Sequence, residues 1–169
     1  MARNRNTRSL SQPDPPSAMN LWGYLTVALL IAGFGAAAVP AQEEIVPEPA
    51  IQAPLAGKSL LLDATAADGT FVVVGGRGHI LTSTDQGASW QQVEVPTRAI
   101  LTGVYFHDGD LGWAVGHDSV ILRTSDGGTS WEIVNWAPEE EAPLLDVWFS
   151  DESNGFAVGA YGSFYRTSD

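Results

Sequence analysis

The sequence contains no cysteine. This absence excludes disulfide bonds, cysteine-ligated zinc, iron–sulfur clusters, thiol catalysis and a lipid-modified N-terminal cysteine. Methionine is also scarce, with two residues, whereas there are eighteen glycines and six tryptophans. Abundant glycine and aromatic residues are typical of an all-β protein with many turns.

Basic residues are few as well. Eight Lys and Arg stand against twenty Asp and Glu, which gives a formal net charge of -12 at pH 7. Residues 42–169 hold five of the basic and nineteen of the acidic residues, a net charge of -14. Such a surface repels nucleic acid and anionic lipid headgroups, so no polynucleotide partner is expected. Membrane contact is expected only through an N-terminal segment.

The one long apolar run lies near the N-terminus. Three arginines within the first eight residues precede residues 21–38, which carry no charge over 18 positions, and small residues follow up to Ala41. This order predicts a helical secretory signal peptide over residues 1–41, and therefore export to the periplasm or the periplasmic face of the inner membrane. An uncleaved membrane anchor is the alternative, since 18 residues is near the lower limit for a spanning helix. The acidic, proline-rich residues 42–57 are predicted to form a linker.

The remaining residues, 58–169, contain a repeat of about forty residues. One aspartate recurs as Asp85, Asp126 and Asp169, at spacings of 41 and 43 residues. Each complete period divides into four β-rich runs separated by turn residues, which in the second repeat are 100–106, 112–115, 119–124 and 131–134. Four strands per period is the pattern of a β-propeller blade. The predicted fold is therefore an all-β, partial β-propeller, with blades at about 58–97, 98–137 and 138–169, the third of them incomplete.

The motif that repeats most closely is an Asp-box. Its residues are Ser83, Asp85, Gly87 and Trp90 in the first copy, Thr124, Asp126, Gly128 and Trp131 in the second, and Thr167 and Asp169 in the third. The aspartate can accept hydrogen bonds from backbone N–H groups of a hairpin turn, glycine can supply a positive φ, and tryptophan can cover the hairpin. A calcium loop or a catalytic carboxylate is the alternative, but the turn already gives the aspartate a structural role. No catalytic residue, metal ligand or cofactor is expected.

Residues flanking the Asp-boxes resemble one family of such propellers. The sequences WAVG at 113–116 and FAVG at 156–159 are each followed by a short turn, an apolar run and Arg-Thr-Ser-Asp. They resemble the repeats of the photosystem II assembly/stability factors and their bacterial relatives, over roughly residues 58–169. The resemblance implies a seven-bladed propeller on the lumenal or periplasmic side of a membrane, acting as a non-enzymatic scaffold for membrane-protein assembly. The chain departs from that pattern in having fewer than three blades and no lipid-anchored cysteine.

Two arginines are candidates for partner binding. Arg123 and Arg166 immediately precede the second and third Asp-boxes, where the first repeat has Thr82. Equivalent positions of successive blades form part of a ring, so a basic patch could bind an acidic segment of a partner protein. The alternative is that each arginine pairs with neighbouring acids on the surface, which contributes little.

Two other propeller classes share features with these repeats. A sialidase-like, glycan-processing propeller also has Asp-boxes, and it stays open as the alternative function. Such an enzyme requires an arginine cluster, an acid/base carboxylate and a tyrosine nucleophile. Residues 42–169 contain only four arginines from which a cluster could form. The WD-repeat class is excluded because its signature is Trp followed directly by Asp, whereas neither Trp90 nor Trp131 is followed by aspartate.

Three histidines fall in predicted turns. His79, His107 and His117 show no metal-ligand spacing, and they are expected to be exposed turn residues.

The sequence stops inside the third Asp-box. Two complete blades and part of a third would leave open sheet edges, which favour aggregation. This pattern predicts a fragment of a longer parent, with closure of the ring by oligomerisation as the alternative.

Overall fold

The computed structural model describes residues 45–168 and the backbone of Arg8 and Ser9. Residues 47–168 belong to one compact unit, which carries all three repeats. Apart from Arg8 and Ser9, the predicted signal peptide over residues 1–41 lies outside the described residues. Within the described residues, no helix has the length and apolar character needed to cross a membrane.

The described chain consists of strands joined by turns and single 3-10 turns. The strands are β1 (Arg8–Ser9), β2 (Leu61–Ala67), β3 (Thr70–Gly75), β4 (Ile80–Ser83), β5 (Gln91–Gln92), β6 (Leu101–Phe106), β7 (Gly112–Gly116), β8 (Ile121–Thr124), β9 (Glu132–Asn135), β10 (Leu144–Phe149), β11 (Asn154–Gly159) and β12 (Phe164–Ser168). The 3-10 turns are Ala56–Lys58, Gly76–Gly78, Pro138–Glu140 and Ala160–Gly162.

These strands form three sheets, one for each repeat. The first sheet has the order β2-β3-β4-β5 and the second β6-β7-β8-β9, with antiparallel neighbours throughout. In the third sheet β10, β11 and β12 are antiparallel, and β1 lies parallel beside β12. The prediction of an all-β partial propeller is confirmed, and the predicted runs of the second repeat end within two residues of the observed strands.

The sheets stack face to face because side chains alternate along each strand. In β7, Ala114 lies in an apolar cluster shared with the first sheet, whereas Trp113 and Val115 lie in a cluster shared with the third. The first cluster joins Val72, Val74 and Ile80 to residues of the second sheet, including Leu122 and Trp131. The middle sheet is therefore buried on both faces, and each end sheet is buried against it on one face.

A glycine ends the second strand of every repeat, at Gly75, Gly116 and Gly159. Each inner strand has a register shift opposite this glycine. A Cβ atom on Gly116 would lie 2.0 Å from the carbonyl oxygen of Ile100, and the two equivalent glycines are similarly close to backbone. The absence of a side chain lets the two strands approach at the shifted position.

Candidate functional site

The first Asp-box closes the turn between β4 and β5 through one carboxylate. Oδ1 of Asp85 accepts hydrogen bonds from the backbone N–H of Ser89 at 2.9 Å and the hydroxyl of Ser83 at 2.7 Å. Oδ2 accepts the hydroxyl of Ser89 at 2.6 Å. The Ser83 oxygen in turn accepts the N–H of Gly87 at 2.8 Å. Side chains thus satisfy backbone donors that the turn leaves without strand partners.

The second Asp-box has the same arrangement between β8 and β9. Asp126 accepts the N–H of Ser130 at 2.9 Å, its hydroxyl at 2.6 Å and the hydroxyl of Thr124 at 2.8 Å. Thr124 replaces the serine of the first copy and keeps the one oxygen that the motif uses. Gly87 and Gly128 have φ values of +86° and +83°, a left-handed conformation that favours glycine.

Hydrogen bonds to the charged carboxylates also set their protonation. The hydroxyl and N–H of Ser89, followed by the hydroxyl of Ser83, lower the pKa of Asp85 to about 2. Bonds from Ser130 lower the pKa of Asp126 in the same way. The donors all belong to the turn itself, so both carboxylates serve as turn acceptors. Residues 45–168 contain no group of three or more His, Asp or Glu placed to hold a metal ion.

The two Asp-box tryptophans lie in different surroundings. The Trp131 ring is 7% exposed and contacts Phe106 edge-on, with centroids 6.0 Å apart. Its Nε1–H donates to the carbonyl of Gly128 at 3.1 Å. A Cβ atom on Gly87 would lie 3.5 Å from the Trp90 ring, so the ring lies over its own turn, but Trp90 is 40% exposed. Trp131 therefore fills an interface between sheets, whereas Trp90 faces the outer side of the first sheet.

The third Asp-box is described only in part. Thr167 lies in β12 and is half-buried, whereas Asp169 lies outside the described residues. The hydrogen-bond pattern of the first two copies can therefore be compared only with each other.

The two candidate arginines occupy equivalent positions on adjacent sheets. Arg123 in β8 lies opposite Trp113, and Arg166 in β12 lies opposite Phe156. The guanidinium of Arg123 donates to Glu132 at 3.2 Å, across the exposed pair of strands. Arg166 is exposed and forms no ion pair with any residue of the described chain. Arg123 therefore forms an ion pair with a neighbouring acid, as in the alternative interpretation, whereas the side chain of Arg166 is exposed to solvent.

A cavity of about 480 Å³ lies beside Arg123, between the second and third sheets. Its walls include Trp113, Phe149, Tyr165 and Glu152. Trp113 and Phe149 stack there with ring centroids 3.5 Å apart. The cavity combines aromatic walls with one cation and one anion.

The far face of the third sheet carries an aromatic row that the sequence motifs did not indicate. Trp148, Phe156 and Phe164 follow one another across three strands, with centroids 5.7 and 6.0 Å apart. All three are exposed, together with Leu145 and Val158. The signal was available in the alternation along β10–β12, because Val147, Ala157 and Tyr165 point to the opposite, buried face. Arg166 lies at the edge of this row.

The expectation that all three histidines are exposed is met at His117 but not at His107 or His79. His117 is exposed and His107 is half-buried, but His79 is only 3% exposed. Its Nδ1 lies 2.9 Å from the Ser59 hydroxyl, and burial followed by the charge of Arg77 lowers its pKa. The segment before β2 covers this side chain, which the local sequence does not reveal.

The repeats match a known protein family. Residues 88–143 match the family model described as "Photosynthesis system II assembly factor YCF48". They run from the end of the first Asp-box through the whole second repeat to the start of the third. The matched repeat is similar to those of photosystem II assembly factors.

Curated relatives carry the same description. The chain is 37% identical over 75 residues to the chloroplastic photosystem II stability/assembly factor HCF136 of Cyanidioschyzon merolae, and 41% identical over 64 residues to the photosystem II assembly protein Ycf48 of Synechococcus sp. strain JA-3-3Ab. These matches cover 43% and 36% of this chain. Because they span only 17% and 19% of the two relatives, they compare a few repeats rather than whole proteins.

Solved structures agree in fold. One described as YCF48 bound to D1 peptide gives a TM-score of 0.59 at 23% identity, covering 74% of this chain and 44% of that one. YCF48 from Cyanidioschyzon merolae gives 0.54 at 25% identity, covering 65% and 37%. These likenesses establish the arrangement of consecutive propeller blades.

Proposed function

We propose that this protein is an exported, non-enzymatic scaffold that binds a subunit of a membrane-protein complex and assists its assembly. The observation that carries this proposal is the match of the repeats to relatives named as photosystem II stability/assembly factors. One similar structure holds a D1 peptide, and the proposal extends that kind of partner to this chain.

Export is supported by the N-terminal sequence and by the relatives. Residues 1–41 have the order of a secretory signal peptide, and residues 42–57 connect them to the repeats at 58–169. One relative is named as a photosystem II assembly lipoprotein, from Synechococcus sp. strain CC9605. Since this chain has no cysteine to carry a lipid, the proposed route is a signal peptide or an uncleaved anchor.

The proposed partner surface combines charge and aromatic area. Arg166 stands beside the exposed row formed by Phe156 and Phe164, and Arg123 occupies the equivalent place on the preceding sheet, at the cavity between the second and third sheets. Arginine and aromatic side chains are enriched at protein interfaces. On a chain with a net charge of -12, two cations at repeated positions favour an acidic peptide segment.

A binding role fits the side chains better than catalysis. Arg98 pairs with Glu48, and Arg123 pairs with Glu132. These pairings hold the two guanidinium groups at separate places, so the two arginines do not form the cluster that a sialidase-like enzyme would require. The Asp85 and Asp126 carboxylates are engaged in their own turns.

The test is recovery of D1 on the tagged, full-length protein from detergent-solubilised membranes that contain D1. We expect the Arg123→Ala and Arg166→Ala double variant to recover about tenfold less D1, because charged hydrogen bonds contribute roughly 1.5–3 kcal/mol. Lys58→Ala is the matched control, since it removes one exposed positive charge away from β8 and β12. Undiminished recovery by the double variant would contradict the proposed surface.

A further inference from the structure

Residues 48–57, which we call the strap, lie against the free face of the first sheet and the segment that follows β5. The side-chain amide of Gln92 in β5 binds the strap through two hydrogen bonds, which we call the clasp. Its Oε1 accepts the N–H of Ala53 at 2.9 Å, and its Nε2 donates to the carbonyl of Ile51 at 3.0 Å. This reciprocal pair reproduces with one side chain what a neighbouring strand would supply with its backbone.

Contacts continue on the N-terminal side of that clasp. The N–H of Ala50 donates to the carbonyl of Val95 at 2.9 Å. Nε of Arg98 donates to the carbonyl of Pro49 at 2.9 Å, and the same guanidinium forms an ion pair with Glu48. The strap is thus attached at successive points to the segment that leaves β5.

Three alanines of the strap face the sheet. Ala50, Ala53 and Ala56 are spaced by three residues, and the chain turns between the last two, where the N–H of Ala56 donates to the carbonyl of Ala53 at 3.0 Å. Ala50 packs against the cluster between the first two sheets, whereas Ala53 and Ala56 pack against Val73 and Leu81. Small side chains at this period allow the strap to lie close to the sheet.

The internal repeat shows which surface the strap covers. In the second sheet Ala114 and Leu122, which are equivalent to Val73 and Leu81, are buried against the preceding sheet. In the first sheet the strap takes the place of that preceding sheet. The clasping residue differs accordingly, because the second repeat has Ile133 where the first has Gln92.

We propose that the strap is an intramolecular seal, which covers the free face of the first sheet and prevents a second copy of the chain from packing there. An uncovered apolar face of a sheet is a site for intermolecular association. The seal depends on the Gln92 clasp and on the three alanines.

The first test is amide hydrogen exchange in the full-length protein. Gln92→Leu removes both clasping bonds but leaves the bond between Ala50 and Val95. If the strap opens as one unit, exchange of the Ala50 N–H rises roughly thirtyfold, as expected for the loss of two net hydrogen bonds. Gln91→Leu is the matched control, because Gln91 is the exposed neighbour and makes none of the strap contacts. Unchanged Ala50 exchange in Gln92→Leu would overturn the proposal.

The second test changes the strap and leaves the sheet intact. In full-length protein carrying Ala50→Asp and Ala53→Asp, we expect concentration-dependent self-association by analytical ultracentrifugation. A synthetic peptide of residues 47–58 with the natural sequence should restore the wild-type sedimentation. Self-association that the peptide does not reverse, or wild-type sedimentation of the double variant without peptide, would refute the seal.

Discussion

Trp131 and Trp90 occupy the same position of two Asp-boxes, and the structure predicts different consequences for their replacement by alanine. Trp131 is buried between the first and second sheets, where it contacts Phe106 and donates to the carbonyl of Gly128. Trp90 is 40% exposed and covers its own turn. The pair therefore separates the role of the motif within a turn from its role between sheets.

The expected magnitudes follow from burial. Trp131→Ala removes a buried ring and leaves a cavity, which typically lowers the free energy of unfolding by about 3–5 kcal/mol. Trp90→Ala removes a ring that still contacts water, so we expect a loss of about 1 kcal/mol. The predicted difference of about 2–4 kcal/mol arises from the sheet interface, since the hydrogen bonds of the two turns are alike.

Urea denaturation of the two full-length variants, followed by tryptophan fluorescence and circular dichroism, measures this difference. Equal loss of stability in Trp90→Ala and Trp131→Ala would refute the reasoning. It would mean that the tryptophan acts only within its own Asp-box, and that stacking of the sheets contributes little.

Three further predictions concern backbone approach and pH. Gly116→Ala places a Cβ atom 2.0 Å from the carbonyl oxygen of Ile100, so we expect the free energy of unfolding, measured in urea, to fall by about 1–3 kcal/mol. Gly76→Ala is the control, because its Cβ atom would make only an ordinary contact at 3.7 Å. Hydrogen bonds, chiefly from Ser89, lower the pKa of Asp85 from 3.8 to about 2, so this carboxylate stabilises the fold fully above pH 4 and less as the pH falls towards 2. If Asp85→Asn leaves the dependence of the urea midpoint on pH unchanged in the acid range, this reasoning is wrong. Burial is the main cause that lowers the pKa of His79 in the folded protein, so on acidification the unfolded chain is protonated first. The free energy of unfolding therefore falls as the pH drops below about 6.5. An NMR titration that places the pKa of His79 at or above 6.5 would contradict this.

The repeat was predictable from the sequence because each part depends on neighbouring residues. The β-rich runs, the glycines of the turns and the Asp-box aspartates all act within a hairpin. Alternation along β7 likewise assigns Ala114 to one face and Trp113 to the other. Strand order and stacking follow once the repeat is identified as a propeller blade.

Other features depend on the position of each repeat in the stack. Trp90 and Trp131 are equivalent in sequence, but within the described residues Trp131 alone packs against a preceding sheet. His79 is buried and contacts Ser59, in the segment before β2, a contact that the local sequence does not indicate. The exposure of the aromatic row that includes Phe156 also depends on position in the stack, because it depends on whether another sheet packs against the third.

An equilibrium titration of the full-length protein with a fluorescently labelled D1 peptide tests the central claim most directly. The proposed function predicts saturable binding that weakens with added salt and falls about tenfold in the Arg123→Ala and Arg166→Ala double variant, but not in Lys58→Ala. Absence of saturable binding by the folded wild-type protein would contradict the assembly function. Equal affinity of wild type and double variant would contradict the assigned surface.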